Sequence, residues 1–296
     1  IQQQAGMGAV VTADKPRLGL GLSIAAGVTN IVLDVILVGF FDFGLTGAAV
    51  ASVAGMVIGG LVPLTVFFNK KNLIHFEKPV WNGPEVLKAV GNGSSEMVTN
   101  LASAITTTLF NIQMMALIGE KGVAAISAIL YLQFIFIAVF FGFVSGIAPV
   151  VSYNYGAENR DNIKNLFNIS IKITVIFSIA MFVIAEALNK WLAMIFASQD
   201  PALLDLMVYG FRIIAVSVLF TGINVFSSGF FTALNNGKVS ALISMLRTFI
   251  LEAGALIILP ELIGIDGVWL ALPLAELLAA VVAVWMLIKY KKVYGY

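Results

Sequence analysis

Along the chain, long apolar stretches alternate with short polar breaks. About eight stretches reach membrane length, at roughly 18–41, 45–68, 86–118, 123–150, 164–188, 203–233, 238–260 and 265–290, since a spanning helix needs about twenty apolar residues. The breaks carry helix-ending chemistry, in Asp42-Phe43-Gly44, Gly119-Glu120-Lys121-Gly122, Ser198-Gln199-Asp200-Pro201 and Asn235-Asn236-Gly237. The pattern predicts an all-α polytopic membrane protein.

Composition agrees: the 296 residues are 60% hydrophobic and 11% charged, with a mean hydropathy of +0.99, far outside the range of a soluble domain. Cysteine is absent, which excludes disulfides and thiolate metal sites. The lone histidine, His75, lies in a polar stretch and reads as a solvated loop residue, not a ligand.

The net charge of +1 hides an asymmetry between connections. Lys15, Arg17, Lys70, Lys71, Lys78, Arg160, Lys164, Lys238, Lys289, Lys291 and Lys292 fall on alternate connections, whereas the opposite ones hold only Lys121 and Lys190. The positive-inside rule then places both ends on the cytoplasmic side of the cell (inner or plasma) membrane, as an even number of spans requires. The expected surroundings are the lipid bilayer, with no nucleic-acid partner.

The chain opens on Ile1-Gln2-Gln3-Gln4 with no basic leader and runs into an apolar piece, Ala5 to Thr12, which predicts a fragment cut within or just after an earlier helix. The longest polar stretch, 69–84, reads as a linker between 1–68 and 85–296. A weak repeat spans it: Gly44-Leu45-Thr46-Gly47-Ala48-Ala49-Val50-Ala51 and Gly264-Ile265-Asp266-Gly267-Val268-Trp269-Leu270-Ala271 both open helices with a G-x-x-G turn, and such repeats are common in secondary transporters.

Polar residues inside the spans hold the candidate chemistry. Asn30 and Asp34 lie one turn apart in the first span. An aspartate at a helix centre costs about 2.5–3.5 kcal/mol to insert, so it faces a wet or protein-lined cavity as an ion or proton ligand, or is satisfied structurally by its neighbours. Glu96, Asn100, Ser103, Thr107 and Asn111 follow at helical spacing on one face of the third span, and lipid cannot satisfy such a face. Ser217, Thr221, Asn224 and Ser228 repeat the device in the sixth span, and Ser240, Ser244 and Arg247 in the seventh; small hydroxyl residues also serve as packing contacts between helices. Glu186, Glu252 and Glu276 are further acids in or at the ends of apolar runs, with Arg212 the clearest embedded base. Pro63 and Pro273 are expected to loosen their helices.

Asn30-Ile31-Val32-Leu33-Asp34, Gly44-x-x-Gly47-Ala48-Ala49-x-Ala51-Ser52, the run from Ala148-Pro149 through Ser152-Tyr153-Asn154-Tyr155-Gly156-Ala157 to Asn159, and Gly264-x-Asp266-Gly267-Val268-Trp269 with Pro273 and Glu276 occur in order along the whole chain. Together they resemble the multidrug and toxic compound extrusion (MATE) transporters, with the bacterial MepA/DinF-like branch the most similar. The resemblance implies a twelve-helix, two-lobe pseudo-symmetric fold of which this chain supplies helices five to twelve. Residues 1–68 would be the end of helix four with helices five and six, 69–84 the cytoplasmic inter-lobe linker, and 85–296 the C-lobe.

It also implies a cation-coupled (H⁺ or Na⁺) secondary exporter of amphipathic or cationic drug-like compounds, working by alternating access and monomeric when full length. Asn30, Asp34 and Ser52 match the family's cation or proton site, Ser52 standing where threonine is usual, with Na⁺ at Asp34 if sodium is the coupling ion. Apart from that ion no cofactor is expected. The acid that helix one contributes lies outside this chain, so the chain alone is not expected to transport. Ala148 stands where a glutamine is common, and no role is carried over from it. Glu96, Asn100, Ser103, Thr107, Asn111, Thr221, Asn224 and Glu276 are the substrate-cavity candidates.

Two other classes remain open. A lipid-linked oligosaccharide or polysaccharide flippase of the same superfamily would line its cavity with more basic residues than Arg212 and Arg247. An intramembrane enzyme needs a reactive constellation; Gly142-Phe143-Val144-Ser145-Gly146 has the wrong spacing for a serine hydrolase and His75 lies in a loop.

Overall fold

The computed structural model describes residues 10, 15–68, 75–78 and 80–296, and the side chains of residues 16, 92–96, 98 and 99 lie outside the described residues. The expected end of helix four and much of the 69–84 linker fall outside them. All described elements are helical, and they form two compact units, Ile1–Trp81 and Asn82–Tyr296.

Over residues 16–67 the first unit is a helix pair. Helix α1 (Pro16–Asp34) passes without a break into a π-helical turn, π1 (Val35–Phe40), and α2 (Gly44–Phe67) returns beside it. The reversal uses left-handed backbone at Asp42 (φ +53°) and Gly44 (φ +51°). Small residues at every fourth position of α2, Gly47, Ala51, Gly55 and Gly59, form its buried stripe, the usual means of bringing membrane helices close. At Gly55 a Cβ would sit 2.9 Å from the Ala26 carbonyl oxygen and 3.1 Å from Asn30 Cβ.

The second unit contains α3 (Gly83–Leu117), α4 (Glu120–Gly156), α5 (Arg160–Ala197), α6 (Pro201–Ala215), α7 (Val218–Ala233), α8 (Gly237–Ser244), π2 (Met245–Glu252), α9 (Ala253–Ile263) and α10 (Ile265–Tyr294). Among the described residues six helices, or seven if α6 and α7 count as one span, are long and apolar enough to cross a membrane. The remaining predicted span, 86–118, corresponds to the continuous 35-residue α3, which ends one residue earlier at Leu117.

Three features depart from the expected uniform spans. The sixth is bent by 48° between α6 and α7, where Val216 and Ser217 donate to Ile213 and Ile214 three residues back, tightening the turn. The seventh changes winding at π2. The fourth and fifth run on to Gly156 and Ala197, because backbone bonding continues after the apolar stretch ends. Helices α2 and α10 continue through Pro63 and Pro273.

The predicted breaks are capped turns. Gly119 (φ +88°) precedes α4, the Asp200 carboxylate accepts from Ala202 and Leu203 N–H at 3.1 Å to start α6 with Pro201 in its first turn, and Asn236 accepts from Val239 N–H at 3.3 Å to start α8.

The G-x-x-G repeat is a repeated backbone device. Gly264 has φ +61°, as Gly44 has φ +51°. A Cβ on Gly267 would lie 2.3 Å from the Leu259 backbone, and one on Gly47 would lie 3.1 Å from that of Leu37. In each copy the first glycine supplies the turn and the second lets the new helix pack on the one before it.

One core cluster gathers Phe110, Ile126, Phe140, Phe211 and Trp269, and a second gathers Phe226, Phe230, Phe231, Met286 and Tyr296. The Ser152–Asn159 run joins helices near this second cluster. Ser152 Oγ donates to the Ala233 carbonyl at 2.9 Å, Asn162 Nδ2 donates to Asn154 Oδ1 at 3.1 Å, and the Tyr155 ring packs edge-on against Tyr294. That motif acts as a clamp.

Candidate functional site

Asn30 and Asp34 project from the last two turns of α1, and Ser52 stands opposite on α2. Asn30 Nδ2 lies 3.5 Å from Ser52 Oγ. The approach depends on Gly55, three residues beyond Ser52, whose missing side chain leaves room for Asn30. Ala26, Gly27, Asn30, Ser52, Gly55 and Met56 surround a cavity of about 220 Å³. Asp34, one turn further on, is half-buried, and its Oδ1 is buried without a hydrogen-bond partner. It sits at the junction with π1, and π-helical turns concentrate at functional sites. The structure brings Asn30 and Ser52 together at this cavity, while Asp34 does not line it and offers an unsatisfied carboxylate oxygen one helical turn away.

The polar stripe of α3 is on the open side of its unit. Ala102, Thr106, Phe110 and Met114 form its buried face, while Asn100, Ser103 and Thr107 are exposed and Asn111 is half-buried, 3.4 Å from the Ser127 hydroxyl. Glu96 lies in the same helix with its side chain outside the described residues.

Thr221, Asn224 and Glu276 are only 0%, 1% and 3% exposed and lie inside the helix bundle, hydrogen-bonded within it. The Thr221 hydroxyl donates to the Ser217 carbonyl at 2.9 Å, and Asn224 Nδ2 donates to both the Glu276 carbonyl and its carboxylate. Ser228 Oγ lies 2.9 Å from Ser240 Oγ and 2.8 Å from Ser244 Oγ, and Thr232 donates to Ser240 at 2.7 Å. This hydroxyl ladder joins α7 to α8 as packing contacts.

Both embedded arginines are paired. Arg247 Nη1 lies 3.7 Å from Glu276 Oε1, and Arg212 Nε lies 3.4 Å from Glu186 Oε2. His75 has a partner that sequence reasoning missed, Glu77 at 3.3 Å. Outside the spans, Lys121 Nζ lies 2.7 Å from Asp200 Oδ2; that bond, with the Leu203 N–H, holds the Asp200 carboxyl below its usual range.

An apolar groove of about 690 Å³ between α5, α7 and α10 was not anticipated. Phe167, Leu219, Phe220, Leu277 and Val281 line it, with Lys291 at one end, and none of the predicted cavity residues does. Its lining is apolar on faces that a membrane helix exposes anyway, so the sequence offered no signal for it.

Fold and site together define a multi-pass helical membrane protein with a repeated helix-turn device and a small pocket at Asn30 and Ser52 in its first unit. The MatE family model matches residues 87–255, more than half of the chain, and the chain belongs to that family, the MATE transporters. A multidrug export protein, MepA, of Staphylococcus saprophyticus is 24% identical over 273 residues, which are 90% of this chain and 58% of the relative.

Among solved structures, an outward-facing multidrug resistance MATE family transporter of the MOP superfamily superposes with a TM-score of 0.85 at 21% identity, covering 95% of this chain and 64% of that one. A Vibrio cholerae MATE transporter, VcmN, in a mutant form, superposes with a TM-score of 0.83 at 20% identity, covering 98% and 67%. The chain thus has the MATE fold, is MepA-like, and spans under two thirds of the length of that curated relative. Membership of a transporter family also separates it from enzymes.

Proposed function

We propose that the protein to which this chain belongs is a secondary active multidrug exporter, in which a cation gradient (H⁺ or Na⁺) drives efflux of amphipathic or cationic compounds by alternating access. The single observation that carries the reading is the buried, unpartnered Asp34 oxygen, one helical turn from the Asn30–Ser52 approach at 3.5 Å. A carboxylate held in that way inside a membrane helix is costly unless something positive visits it. Asp34 binds and releases the coupling ion, and Asn30 and Ser52 serve as neutral ligands. Loading the site removes one charge from the cavity and shifts the balance between facing states.

The relative's name points the same way, since MepA is described as a multidrug export protein. On this reading 69–84 is the cytoplasmic linker between lobes, both ends of the chain are cytoplasmic, and the exposed α3 stripe of Asn100, Ser103 and Thr107 faces the substrate path. Export is favoured over flipping of an anionic lipid-linked sugar because Arg212 and Arg247 are each neutralised by a glutamate, so neither is free to hold a phosphate.

Efflux of a fluorescent cationic dye from cells expressing the intact protein tests the assignment. Asp34→Asn should abolish gradient-driven efflux while leaving the protein in the membrane; unchanged efflux would remove Asp34 from the mechanism. A cell-wall precursor defect with normal dye efflux in cells lacking the gene would favour the flippase.

A further inference from the structure

The G-x-x-G device occurs twice, and each copy follows a helix that changes to π winding: π1 precedes Gly44, and π2 precedes Gly264. In the first copy the winding change adjoins Asp34, with Ser52 facing from the helix after the turn. In the second it carries Arg247 and Glu252, with Glu276 facing from the helix after the turn. The second unit therefore has ionisable groups in the corresponding place, and the reading above gives them no part.

Their charges do not balance. Glu276 is satisfied: Arg247 lies 3.7 Å from one carboxylate oxygen, and Asn224 Nδ2 donates to the other. Glu252 is buried and, among the described residues, forms no ion pair as close as that of Glu276 with Arg247. The charged groups that face it are Arg247 of its own segment and Glu276 of α10; α3 presents the Thr106 hydroxyl, and among the described residues no charged group of α8 or α9 faces it. Two carboxylates against one guanidinium leave one uncompensated negative charge away from water, which is costly.

Two oxygens beside this cluster also lack a donor. Asn224 Oδ1 and Thr248 Oγ1 have no hydrogen-bond partner, although their residues are only 1% and 3% exposed. Thr248 stands one turn before Glu252, and Asn224 touches Glu276. A carboxyl hydrogen gives one of these oxygens a donor and cancels the extra charge at once. A metal cation does neither well, because the Arg247 guanidinium already occupies the carboxylate edge and repels a second positive charge.

We propose that this cluster is a proton-exchange site of the second unit, with the exchangeable proton resident on Glu252 and the Arg247–Glu276 pair as its fixed counter-charge. Deprotonation restores the uncompensated charge, and π2, whose wider winding sets the angle between Arg247 and Glu252, is the element placed to respond. Any role in driving export rests on the exporter reading; proton exchange itself does not.

Infrared difference spectroscopy of the purified protein in lipid vesicles, without substrate, tests exchange independently of transport. Raising the pH from mildly acidic to mildly alkaline should remove the band of a protonated carboxyl. The band should be missing from E252Q and retained in D34N. If E252Q does not fold, E252D keeps a carboxyl in a different position and should shift the band. A wild-type spectrum insensitive to pH, a band lost in D34N but kept in E252Q, a band unmoved in E252D, or a band removed by Na⁺ at constant pH in D34N would each overturn the proposal. Failure of dye efflux in D34N with the Glu252 band intact would separate the two sites.

Discussion

Asn224 donates twice to Glu276, to its backbone carbonyl at 2.9 Å and to its carboxylate, tying α7 to α10 across the middle of the bundle. Both residues are interior, so the contact has no competing water. Asn224→Leu leaves the carboxylate with Arg247 alone and should cost about 1–3 kcal/mol. Asn224→Asp sets carboxylate against carboxylate and should cost more. Thermal unfolding of the detergent-solubilised protein orders the three, and equal midpoints would show that the double bond contributes nothing.

Glycine replacement should separate close approach from helix propensity. Gly142 has open space where a Cβ would go, so Gly142→Ala should gain about 0.5–1 kcal/mol from reduced backbone freedom. Gly267→Ala would place a Cβ 2.3 Å from the Leu259 backbone and should force α9 and α10 apart, lowering the unfolding temperature. Gly55→Ala should be intermediate in stability, and because its Cβ meets Asn30 it should also reduce dye efflux by the intact protein.

The hydroxyl ladder gives a smaller effect. Ser228 contacts Ser240 and Ser244 at once, and interhelical bonds of this kind average about 0.6 kcal/mol. Ser228→Ala should therefore cost about 1 kcal/mol, and a Ser228→Ala, Ser240→Ala double variant should be less than additive if the two hydroxyls serve one another.

Acid should weaken the turn between α5 and α6. Asp200 is held below its ordinary value of 3.8 by the hydrogen bond from Lys121, so it binds fewer protons in the folded protein than in the unfolded one. Its contribution is fully present above the ordinary value and is lost as pH falls through the depressed one. Asp200→Asn keeps the cap and loses the ion pair, whereas Asp200→Ala loses both. Unfolding midpoints at neutral pH should fall in the order wild type, Asn, Ala, with the difference between wild type and Asn shrinking in acid.

Much of the fold was legible because the relevant signals are local. Twenty apolar residues define a span wherever they lie, and Asp200-Pro201 or Asn236-Gly237 carries its own capping chemistry. The bend at Val216–Ser217 was not legible, since it involves neither glycine nor proline. It lies where Gln133 of another helix reaches the Ser217 hydroxyl at 3.2 Å. At the first-unit site, the spacing of Asn30 and Asp34 and the order of Ser52 could be read, but their approach rests on Gly55, whose importance shows only when α1 is beside it. Thr221, Asn224 and Glu276 were read as cavity residues because polarity marks a side chain that needs a partner without saying whether that partner is substrate or protein. Arg247 and Glu276, 29 positions apart in the chain, could not be paired from spacing at all.

The winding of π2 gives the charge cluster a dependence on chain length as well as composition. Bonds from residue i to i+5 enclose one more residue per turn than those of an α-helix. Winding the same residues as an α-helix with none deleted would turn Glu252 by roughly a quarter turn relative to Arg247, whereas deleting one residue between the two would restore α winding and keep their side chains nearly in line. A reading frame shortened by a single codon there would remove the wide turn and leave the charged groups facing one another, whereas a change to α winding at full length would part them.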